Sequence, residues 1–254
     1  STACASANHA TIEAYKQILL GKEQIMVTGG ADACITPFVF GGFVSMNAMS
    51  KRNDAPEKAS RPFDRDRDGF VMREGAGIMV LEELDHALER GAHIYCEMSG
   101  FGATSDAYHI AAPDPKPDMQ ALAMKDAIKR AGATPEEIDY INAHGTSTPL
   151  NDPIETLSIK MALGDSAKGV AISSTKSMTG HLIGASGGIE TIATALMMEN
   201  HMMHPTINLE NPDEECDLFY VPQKPMPKEI NKAINNSFGF GGQNASILFS
   251  RYDA

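Results

Sequence analysis

Apolar segments of strand length alternate with amphipathic segments of helix length along the chain of 254 residues. Residues 8–20 show the helical type most clearly, because Ile12, Tyr15, Ile18 and Leu19 recur at helical spacing. Most strand-sized segments are short and apolar, as in strands buried on both faces. This alternation predicts an α/β fold. The predicted helices cover residues 8–20, 81–90, 119–131, 154–162 and 187–199, and the predicted strands cover residues 24–28, 77–81, 94–101, 140–143, 169–173, 218–221, 233–236 and 245–250.

Turn and cap signals divide the chain further. The Gly-Phe-Gly-Gly sequence at 239–242 predicts a tight turn between two antiparallel strands. Thr134, followed by Pro-Glu-Glu, is typical of the capped first turn of a helix. Near Gly91 a helix is predicted to end and a new strand to begin. We therefore expect a seam near Gly91, and one large domain or two smaller ones are both compatible with the length of the chain.

Composition and charge narrow the class of protein. Hydrophobic residues make up 43% and charged residues 21% of the chain, as in soluble globular proteins. The formal charge of −12 argues against a nucleic-acid partner, which needs a basic surface. There is no apolar run of about 18 residues and no signal peptide, so no membrane partner is expected. Four cysteines without a CxxC motif indicate a reducing compartment. We expect the cytoplasm, with an organellar matrix or plastid as the alternative.

The first candidate for chemistry is Cys4, which lies in the sequence Thr-Ala-Cys-Ala-Ser directly before the first predicted helix. A thiol there feels the positive end of the helix dipole, which is expected to lower its pKa and raise the thiolate fraction. The small neighbouring residues leave room for a substrate. The alternative is a buried structural cysteine, since most free cysteines are inert core residues.

Two polar segments each follow an apolar strand, where α/β folds place ligand-binding loops. The first reads Asn-Ala-His-Gly-Thr-Ser-Thr, and the second reads Ser-Ser-Thr-Lys-Ser-Met-Thr-Gly-His and leads into a predicted helix. The alternatives are a strand-end histidine with satisfied hydrogen bonds and a flexible connector with a solvated lysine. No HExxH or zinc-finger spacing occurs, so no metal site is expected. The candidate side chains are His144, Thr146, Thr148, Lys176 and His181.

The fourth motif covers residues 236–244 and contains Phe238 and Phe240 in a glycine-rich turn. Its glycines allow close approach of a ligand to the backbone and expose N–H donors. Phenylalanines in such a turn are costly unless they cover something apolar. The alternative is an ordinary hairpin. The residue types alone also permit a Cys-His hydrolase, which would need a water path and an Asn or Asp that orients the histidine.

In this order, the four motifs closely resemble those of the β-ketoacyl-[acyl carrier protein] synthases of the elongating, Cys-His-His type. Shorter stretches agree, such as Ser-Arg-Pro-Phe-Asp at 60–64 and Pro-Thr-Ile-Asn at 205–208. The resemblance extends from Ser1 to about Arg251 and is greatest to synthase II of type II fatty acid synthesis. It implies a thiolase-like α/β fold with αβαβα layers and mixed five-stranded sheets, in a homodimer.

Members of that family are longer, so the N-terminal part of the first half is expected to be missing. Residues 1–90 would then be the remainder of the N-terminal half with the nucleophile, and 91–254 a complete C-terminal half with the histidine pair. Such a chain would expose a sheet edge and apolar surface. We therefore expect it to be poorly soluble or inactive by itself.

The resemblance also implies roles for the catalytic residues. Cys4 matches the nucleophile that accepts an acyl group. His144 and His181 match the pair that promotes decarboxylation of a malonyl group and stabilises the resulting enolate. Lys176 matches a lysine that orders the site, and a buried lysine needs a partner such as Glu190.

For substrate binding, the resemblance implies an oxyanion hole formed by the backbone N–H groups of Cys4 and Phe240. The Phe240 side chain matches a gate that moves once Cys4 is acylated. Thr146 and Thr148 match residues that bind the pantetheine arm. Phe238 and Gly241, in the same turn as Phe240, are also expected in the substrate site.

The implied reaction is a decarboxylative Claisen condensation without a cofactor, since the substrates are carried on the phosphopantetheine of acyl carrier protein. That partner is acidic, so this acidic chain must bind it through a local basic patch. The candidates are Lys51 and Arg52, with Lys58 and Arg61 in the same loop. Some relatives have an arginine at the position of Asn47. The alternatives are a polyketide-type ketosynthase and a catalytically inactive fragment or partner subunit that only binds carrier protein.

Overall fold

The computed structural model describes residues 1–252. Short 3₁₀ turns at Ala3–Ala5, Pro56–Lys58, Pro135–Glu137, Gly164–Gly169 and Ile183–Ala185 supplement the main elements. The elements of the first part of the chain are α1 (Ser6–Leu19), β1 (Ile25–Asp32), α2 (Pro37–Ser45), β2 (Gly75–Glu82) and α3 (Leu84–Glu89). Those of the second part are β3 (Glu97–Ser105), α4 (Asp118–Arg130), β4 (Tyr140–Asn142), α5 (Asn151–Leu163), β5 (Ala171–Ser173), α6 (Lys176–Thr179), α7 (Ser186–Asn200), β6 (Met202–Met203), β7 (Met226–Pro227), β8 (Lys232–Gly239) and β9 (Gln243–Ser250).

A mixed five-stranded sheet with the order β3-β9-β8-β4-β5 is the centre of the fold. Strand β9 is antiparallel to both β3 and β8, whereas β4 is parallel to both β8 and β5. On one face, Ile141, Ile234 and Leu248 pack in a buried cluster with residues of α4 and α5. On the other face, Ala233 and Ile247 pack in a second cluster with residues of α1 and α7. Burial on both faces explains why these strands have apolar sequences.

Strands β1 and β2 form a separate antiparallel pair, which packs against α1 and α7 on the side away from the large sheet. A Cβ at Gly77 would lie 2.4 Å from the backbone nitrogen of Ile189, so glycine allows this sheet and α7 to approach closely. The described residues therefore form four successive layers: helices, the five-stranded sheet, helices and the two-stranded sheet. The smaller sheet leaves Val27 69%, Ile78 53% and Val80 59% exposed, so its outer face is apolar.

Several predicted elements differ in extent from the observed ones. Strand β2 continues through Glu82, so the helix expected from residue 81 begins only at Leu84. The strand expected at 218–221 is reduced to an isolated bridge between Tyr220 and Ile172. Thr134 does cap the turn after it, but this turn is a single 3₁₀ turn rather than the start of an α-helix. Local propensity cannot tell one turn from a helix without the packing that follows it.

Helix α2 was not predicted from the sequence. It contains Gly-Gly and several aromatic and β-branched residues, all poor helix formers, and none of its residues is buried. Its start did carry a signal, since Thr36 caps the helix by accepting a hydrogen bond from the Val39 N–H and Pro37 occupies the first turn.

The seam near Gly91 coincides with the end of a helix. Helix α3 ends at Glu89, and Gly91 has φ +66°, the left-handed conformation that often follows a helix C-terminus. The assignment of residues 1–90 and 91–254 to separate domains stays a prediction. Within residues 1–252, no helix combines the length and apolarity needed to cross a bilayer.

Candidate active site

A cavity of about 350 Å³ lies at the edge of the large sheet where β4, β5 and β8 end. These strands are parallel to one another, so the loops after them meet at one edge. The loop after β4 supplies His144, the segment after β5 supplies His181, and the end of β8 supplies Phe238. Cys4 reaches the same cavity from the turn before α1. Residues far apart in the sequence are thus brought together around one space.

Cys4 is presented by a strained turn. Ala3 has φ +50°, a conformation that non-glycine residues adopt at a cost and that often occurs at functional sites. The turn packs against Gly239, where a Cβ would lie 2.7 Å from the Thr2 carbonyl oxygen. The backbone N–H groups of Phe240 and of Cys4 itself lower the pKa of the thiol. These are the two groups expected in an oxyanion hole, and that role stays a prediction.

The prediction that the Cys4 thiol has a lowered pKa is wrong for this structure. Cys4 is only 5% exposed, and burial raises its pKa to about 11, although Lys176 and the two backbone N–H groups lower it. The desolvation of a thiolate outweighs the dipole of one helix, which contributes at most about 2 kcal/mol in partly buried geometries. Cys4 is therefore protonated at neutral pH in this site.

Lys176 connects His144 to a buried carboxylate. Its Nζ forms an ion pair with Glu190, and both side chains are at most 2% exposed. The same Nζ lies 3.4 Å from His144 Nδ1. An ammonium group can only donate, so Nδ1 of His144 accepts and its Nε2 carries the proton. The structure thus pairs Lys176 with Glu190, and their joint role in the site stays a prediction.

His181 is oriented by the first residue of α7. Its Nδ1 lies 2.8 Å from Ser186 Oγ, which also accepts a hydrogen bond from the Leu182 N–H. The serine hydroxyl can donate to Nδ1, and in that arrangement the proton of His181 lies on Nε2. The rings of His144 and His181 are 5.4 Å apart and nearly perpendicular.

Both histidines are neutral at pH 7. Burial lowers the pKa of His144 and of His181 well below the ordinary value, and the Lys176 charge lowers both further. A neutral imidazole with its proton on Nε2 is a hydrogen-bond donor that can stabilise negative charge as it develops. The two rings and the two backbone N–H groups thus provide four donors around one buried cavity.

The loop that carries His144 is held by Glu155, a fully buried residue of α5 that the sequence analysis did not single out. Its two carboxylate oxygens accept hydrogen bonds from the backbone N–H groups of His144 and Gly145, each at 2.8 Å. Burial raises the pKa of Glu155 to about 7, although these two backbone hydrogen bonds lower it. Glu155 acts through the backbone and is a positioning residue.

Replacement of Glu155 by Gln is expected to destabilise the fold by about 1–3 kcal/mol at pH 5, because the amide NH₂ cannot accept one of the two backbone hydrogen bonds. In the folded wild-type protein the pKa of the Glu155 carboxyl is raised. The stability of the wild-type protein therefore falls relative to that of the variant as the pH rises from about 5 through about 7. Urea unfolding at pH 5 and pH 8 measures both effects. The exposed change Glu23→Gln is the control, and a destabilisation by Glu155→Gln that grows with pH would contradict the raised pKa.

The predicted substrate-binding residues are only partly brought together. Thr146 and Thr148 line the cavity, and their hydroxyl oxygens are 2.9 Å apart. Phe238 and Phe240 line it as well, the latter with its ring 6.0 Å from that of Phe43. Gly241 does not line the cavity, because it lies in the turn between β8 and β9 with its N–H bonded to the Ile110 carbonyl oxygen.

The basic residues of the polar loop differ in their accessibility. Lys51 is exposed, and its Nζ donates to Asn47 Oδ1, which belongs to a residue that lines the cavity. Arg52 donates to the Asp66 carbonyl oxygen at 3.0 Å. Arg61 is only 2% exposed and is ion-paired with Asp64, so its candidacy for a surface patch is wrong. Lys51, Arg52 and Lys58 remain the candidates, the last in an exposed ion pair with Glu210.

Several lining residues were missed because they come from segments without a chemical motif. Phe43 belongs to α2, Asp106 and His109 follow β3, and Gln120 lies in the first turn of α4. The loop after β3 begins with Asp-Ala-Tyr-His at 106–109, a stretch that also agrees with the resemblance, and it contains three prolines, but its residues were not assigned to the site. Among residues 1–252, no group of three or more His, Cys, Asp and Glu side chains has the arrangement of a metal site.

Two models of known families match the chain. "Beta-ketoacyl synthase, N-terminal domain" matches residues 1–87, and "Beta-ketoacyl synthase, C-terminal domain" matches residues 95–210. The 3-oxoacyl-[acyl-carrier-protein] synthase 2 of Synechocystis sp. is 54% identical over 251 residues, which are 99% of this chain and 60% of that protein. The enzyme of the same name from Coxiella burnetii is 49% identical over 250 residues. The chain thus spans about 60% of the length of these relatives.

Solved structures agree with these sequence matches. A type II polyketide ketosynthase in complex with its acyl carrier protein (AntDE:AntF) superimposes with a TM-score of 0.98 at 40% identity, over 100% of this chain and 62% of that one. A β-ketoacyl synthase from Burkholderia phymatum gives a TM-score of 0.94 at 38% identity, over 100% of this chain and 61% of that one. The layered fold with a buried thiol beside two histidines is therefore that of the thiolase-like condensing proteins. Within that class, the chain belongs to the β-ketoacyl synthase family.

Proposed function

We propose that the protein of which this chain forms part catalyses chain elongation in fatty acid synthesis. It condenses an acyl group held on Cys4 with a malonyl group on acyl carrier protein, giving 3-oxoacyl-[acyl carrier protein] and CO₂. One observation carries the proposal: a buried thiol, two backbone N–H donors and two neutral histidines face one cavity. This set can hold a thioester carbonyl and then an enolate.

In the first stage, the Cys4 sulfur attacks the carbonyl carbon of the incoming acyl thioester. A bond forms between that carbon and Sγ, the bond to the pantetheine sulfur breaks, and the released thiol takes the proton of Cys4. The negative charge on the carbonyl oxygen is met by the N–H groups of Cys4 and Phe240, which also lower the pKa of the thiol. Because burial raises the pKa of the thiol to about 11, the proton of Cys4 must be lost in the course of acyl transfer.

In the second stage, the malonyl thioester loses CO₂ and the electron pair of the broken carbon–carbon bond forms an enolate. The Nε2–H groups of His144 and His181 donate to the enolate oxygen. The enolate carbon attacks the acyl carbonyl, the bond to Cys4 breaks, and the thiolate regains a proton from solvent. All electrons are accounted for without an oxidant or reductant, and the substrates bring their own phosphopantetheine.

Fatty acid elongation is favoured over polyketide synthesis by the identity of the sequence relatives. The synthase 2 proteins are 54% and 49% identical to the chain, against 40% for the polyketide ketosynthase whose structure superimposes so well. Acyl carrier protein is the proposed partner, docking at Lys51 and Arg52; Lys51 is hydrogen-bonded to Asn47, which lines the cavity. A homodimer agrees with the exposed apolar face of β1 and β2, and a cytoplasmic or other reducing compartment agrees with the four free cysteines.

The function is tested by incubating the protein with acyl- and malonyl-[acyl carrier protein] and measuring 3-oxoacyl product and released CO₂. Carrier protein without phosphopantetheine is the matched control. The assay is run on this chain and on the chain joined to the preceding segment of the Synechocystis relative. Product from either form supports the proposal. Absence of product from both, with the fold intact by circular dichroism, would refute it and favour a partner subunit that only binds carrier protein.

Replacement of His181 by Ala is expected to lower CO₂ release from malonyl-[acyl carrier protein] by about 10²- to 10³-fold, because one donor to the enolate oxygen is lost. Acylation of Cys4 should continue, since that stage uses the backbone N–H groups. The measurement is radiolabelled CO₂ release beside intact mass. The control is His93→Ala, which removes an exposed histidine paired with Glu199. If His181→Ala lowered Cys4 acylation as much as CO₂ release, this would contradict the assignment of His181 to decarboxylation alone.

A further inference from the structure

The side chain of Asn142 has no role in the mechanism above, although this residue is fully buried at the end of β4, two positions before His144. Its Nδ2 lies 3.0 Å from Thr175 Oγ1, 3.2 Å from the Glu190 carbonyl oxygen and 3.3 Å from Thr194 Oγ1. A carbonyl oxygen can only accept, so the atom that faces it is the amide nitrogen. The amide therefore joins the end of β4 to the segment after β5 and to α7.

These three elements carry the side chains that meet at Lys176. Lys176 directly follows Thr175, and Glu190, whose carbonyl oxygen the amide binds, is the ion-pair partner of Lys176. The loop after β4 carries His144, whose Nδ1 lies 3.4 Å from Lys176 Nζ. One buried amide thus connects the main-chain segments from which all three side chains extend.

His204 gives this chain of hydrogen bonds its direction. Its Nδ1 lies 3.2 Å from the Pro205 carbonyl oxygen, which can only accept, so Nδ1 carries the proton and Nε2 accepts. Nε2 lies 2.9 Å from Thr175 Oγ1, so the single hydroxyl proton of Thr175 is donated to His204. A lone pair of the same hydroxyl then accepts from Asn142 Nδ2. Burial lowers the pKa of His204, so the ring is neutral at pH 7 and keeps this direction.

The contact that depends on this alignment is a long one. At 3.4 Å, Lys176 Nζ and His144 Nδ1 are near the upper limit for a hydrogen bond, so a small displacement of either residue breaks it. We propose that Asn142 is a positioning residue, which holds the Lys176 ammonium group against His144 Nδ1 through Thr175 and the Glu190 backbone. This inference rests on the proposed function, because it assigns Asn142 to the decarboxylation stage. Without the amide, the proton of His144 can move to Nδ1, and the enolate oxygen then loses a donor.

The test uses Asn142→Leu, which keeps the approximate side-chain volume and removes the amide. CO₂ release from malonyl-[acyl carrier protein] is expected to fall about 10- to 100-fold, as for a misplaced catalytic group, while Cys4 acylation stays within about twofold of wild type. Nitrogen-15 NMR of protein with labelled histidines provides a second readout. The Nδ1 signal of His144, identified by its loss in His144→Asn, should shift towards the value of a protonated nitrogen. A residue with a purely structural role would lower the thermal midpoint and leave the ratio of the two stages and this signal unchanged.

A second pair of variants tests the same hydrogen bonds with less disturbance of the core. Thr175→Val keeps the side-chain shape and removes only the hydroxyl, so the ratio of CO₂ release to Cys4 acylation is expected to fall about fivefold, as for the loss of one hydrogen bond. Thr175→Ser, which retains the hydroxyl, should restore the ratio. The matched control is Thr11→Val, which removes a buried threonine hydroxyl bonded to the Ala7 carbonyl oxygen on α1.

An unchanged ratio in both Asn142→Leu and Thr175→Val would overturn the inference, and so would an equal fall in Thr11→Val. If Asn142→Leu does not fold, the comparison of Thr175→Val with Thr175→Ser decides. A wild-type protein that releases no CO₂ would instead mark failure of the proposed function. The His144 signal would then decide the inference alone, so the two failures are distinguishable.

Discussion

Replacement of Cys4 by Ala is expected to abolish acyl transfer, with a fall in condensation of about 10⁴-fold or more. The wild-type protein should gain the mass of one acyl group on incubation with acyl-[acyl carrier protein], and the variant should gain none. The reason is covalent: no other cysteine lines the cavity in the described part of the chain. Intact-mass spectrometry makes the measurement, and Cys96→Ala, outside the cavity, is the matched control.

The pH dependence of Cys4 alkylation shows whether burial or the helix dipole has the larger effect on the pKa of this thiol. With a pKa of about 11, the thiolate fraction of Cys4 rises about tenfold per pH unit between pH 7 and pH 10. The rate of alkylation by iodoacetamide at Cys4 should rise in parallel, without a plateau in that range. A plateau near neutral pH would show that the dipole and Lys176 outweigh burial. Acyl transfer that persists in Cys4→Ala would remove this residue from the mechanism altogether.

The sequence motifs predicted which residues meet but not the environment in which they meet. Cys4, His144, Lys176 and His181 lie in loops at one sheet edge, and parallel strands bring such loops together whatever the details of packing. The electrostatics of Cys4 depends instead on how completely the turn at Gly239 and the histidine loops cover it. That burial depends on residues distant in the sequence. A local rule about helix dipoles therefore predicted the wrong direction for the pKa shift of Cys4.

The same distinction explains the missed residues. In the sequence, Glu155 is one of many acidic residues on an amphipathic helix. Only the close approach of α5 to the loop after β4 shows that its carboxylate accepts hydrogen bonds from two backbone N–H groups. Gln120 and Phe43 have no motif around them and become lining residues because of tertiary packing. The hairpin turn at 239–242 was predicted correctly because its glycine conformations are a local requirement, with φ +84° at Gly241 and +75° at Gly242.

The second prediction with a large expected effect concerns the buried ion pair of Lys176 and Glu190. Replacement of Lys176 by Met leaves a carboxylate that is at most 2% exposed without its counter-ion, and this is expected to cost about 3–5 kcal/mol of stability. The midpoint of thermal unfolding should fall by roughly 10 °C. Glu190 can relieve the cost by taking a proton. The variant should therefore be least destabilised at low pH, and it should lose stability relative to wild type as the pH rises above about 4.5, the value for an exposed glutamate.

A double variant, Lys176→Met with Glu190→Gln, separates stability from chemistry. Replacing both partners of a buried ion pair is often nearly neutral, so the thermal midpoint should return close to that of wild type. Condensation should stay low by about 10²-fold or more, because Nδ1 of His144 has lost the ammonium donor that keeps the proton on Nε2. Thermal unfolding at pH 5 and pH 8 and CO₂ release from malonyl-[acyl carrier protein] provide the two measurements. Recovery of both in the double variant would mean that Lys176 only balances the charge of Glu190, and that the histidine keeps its tautomer without it.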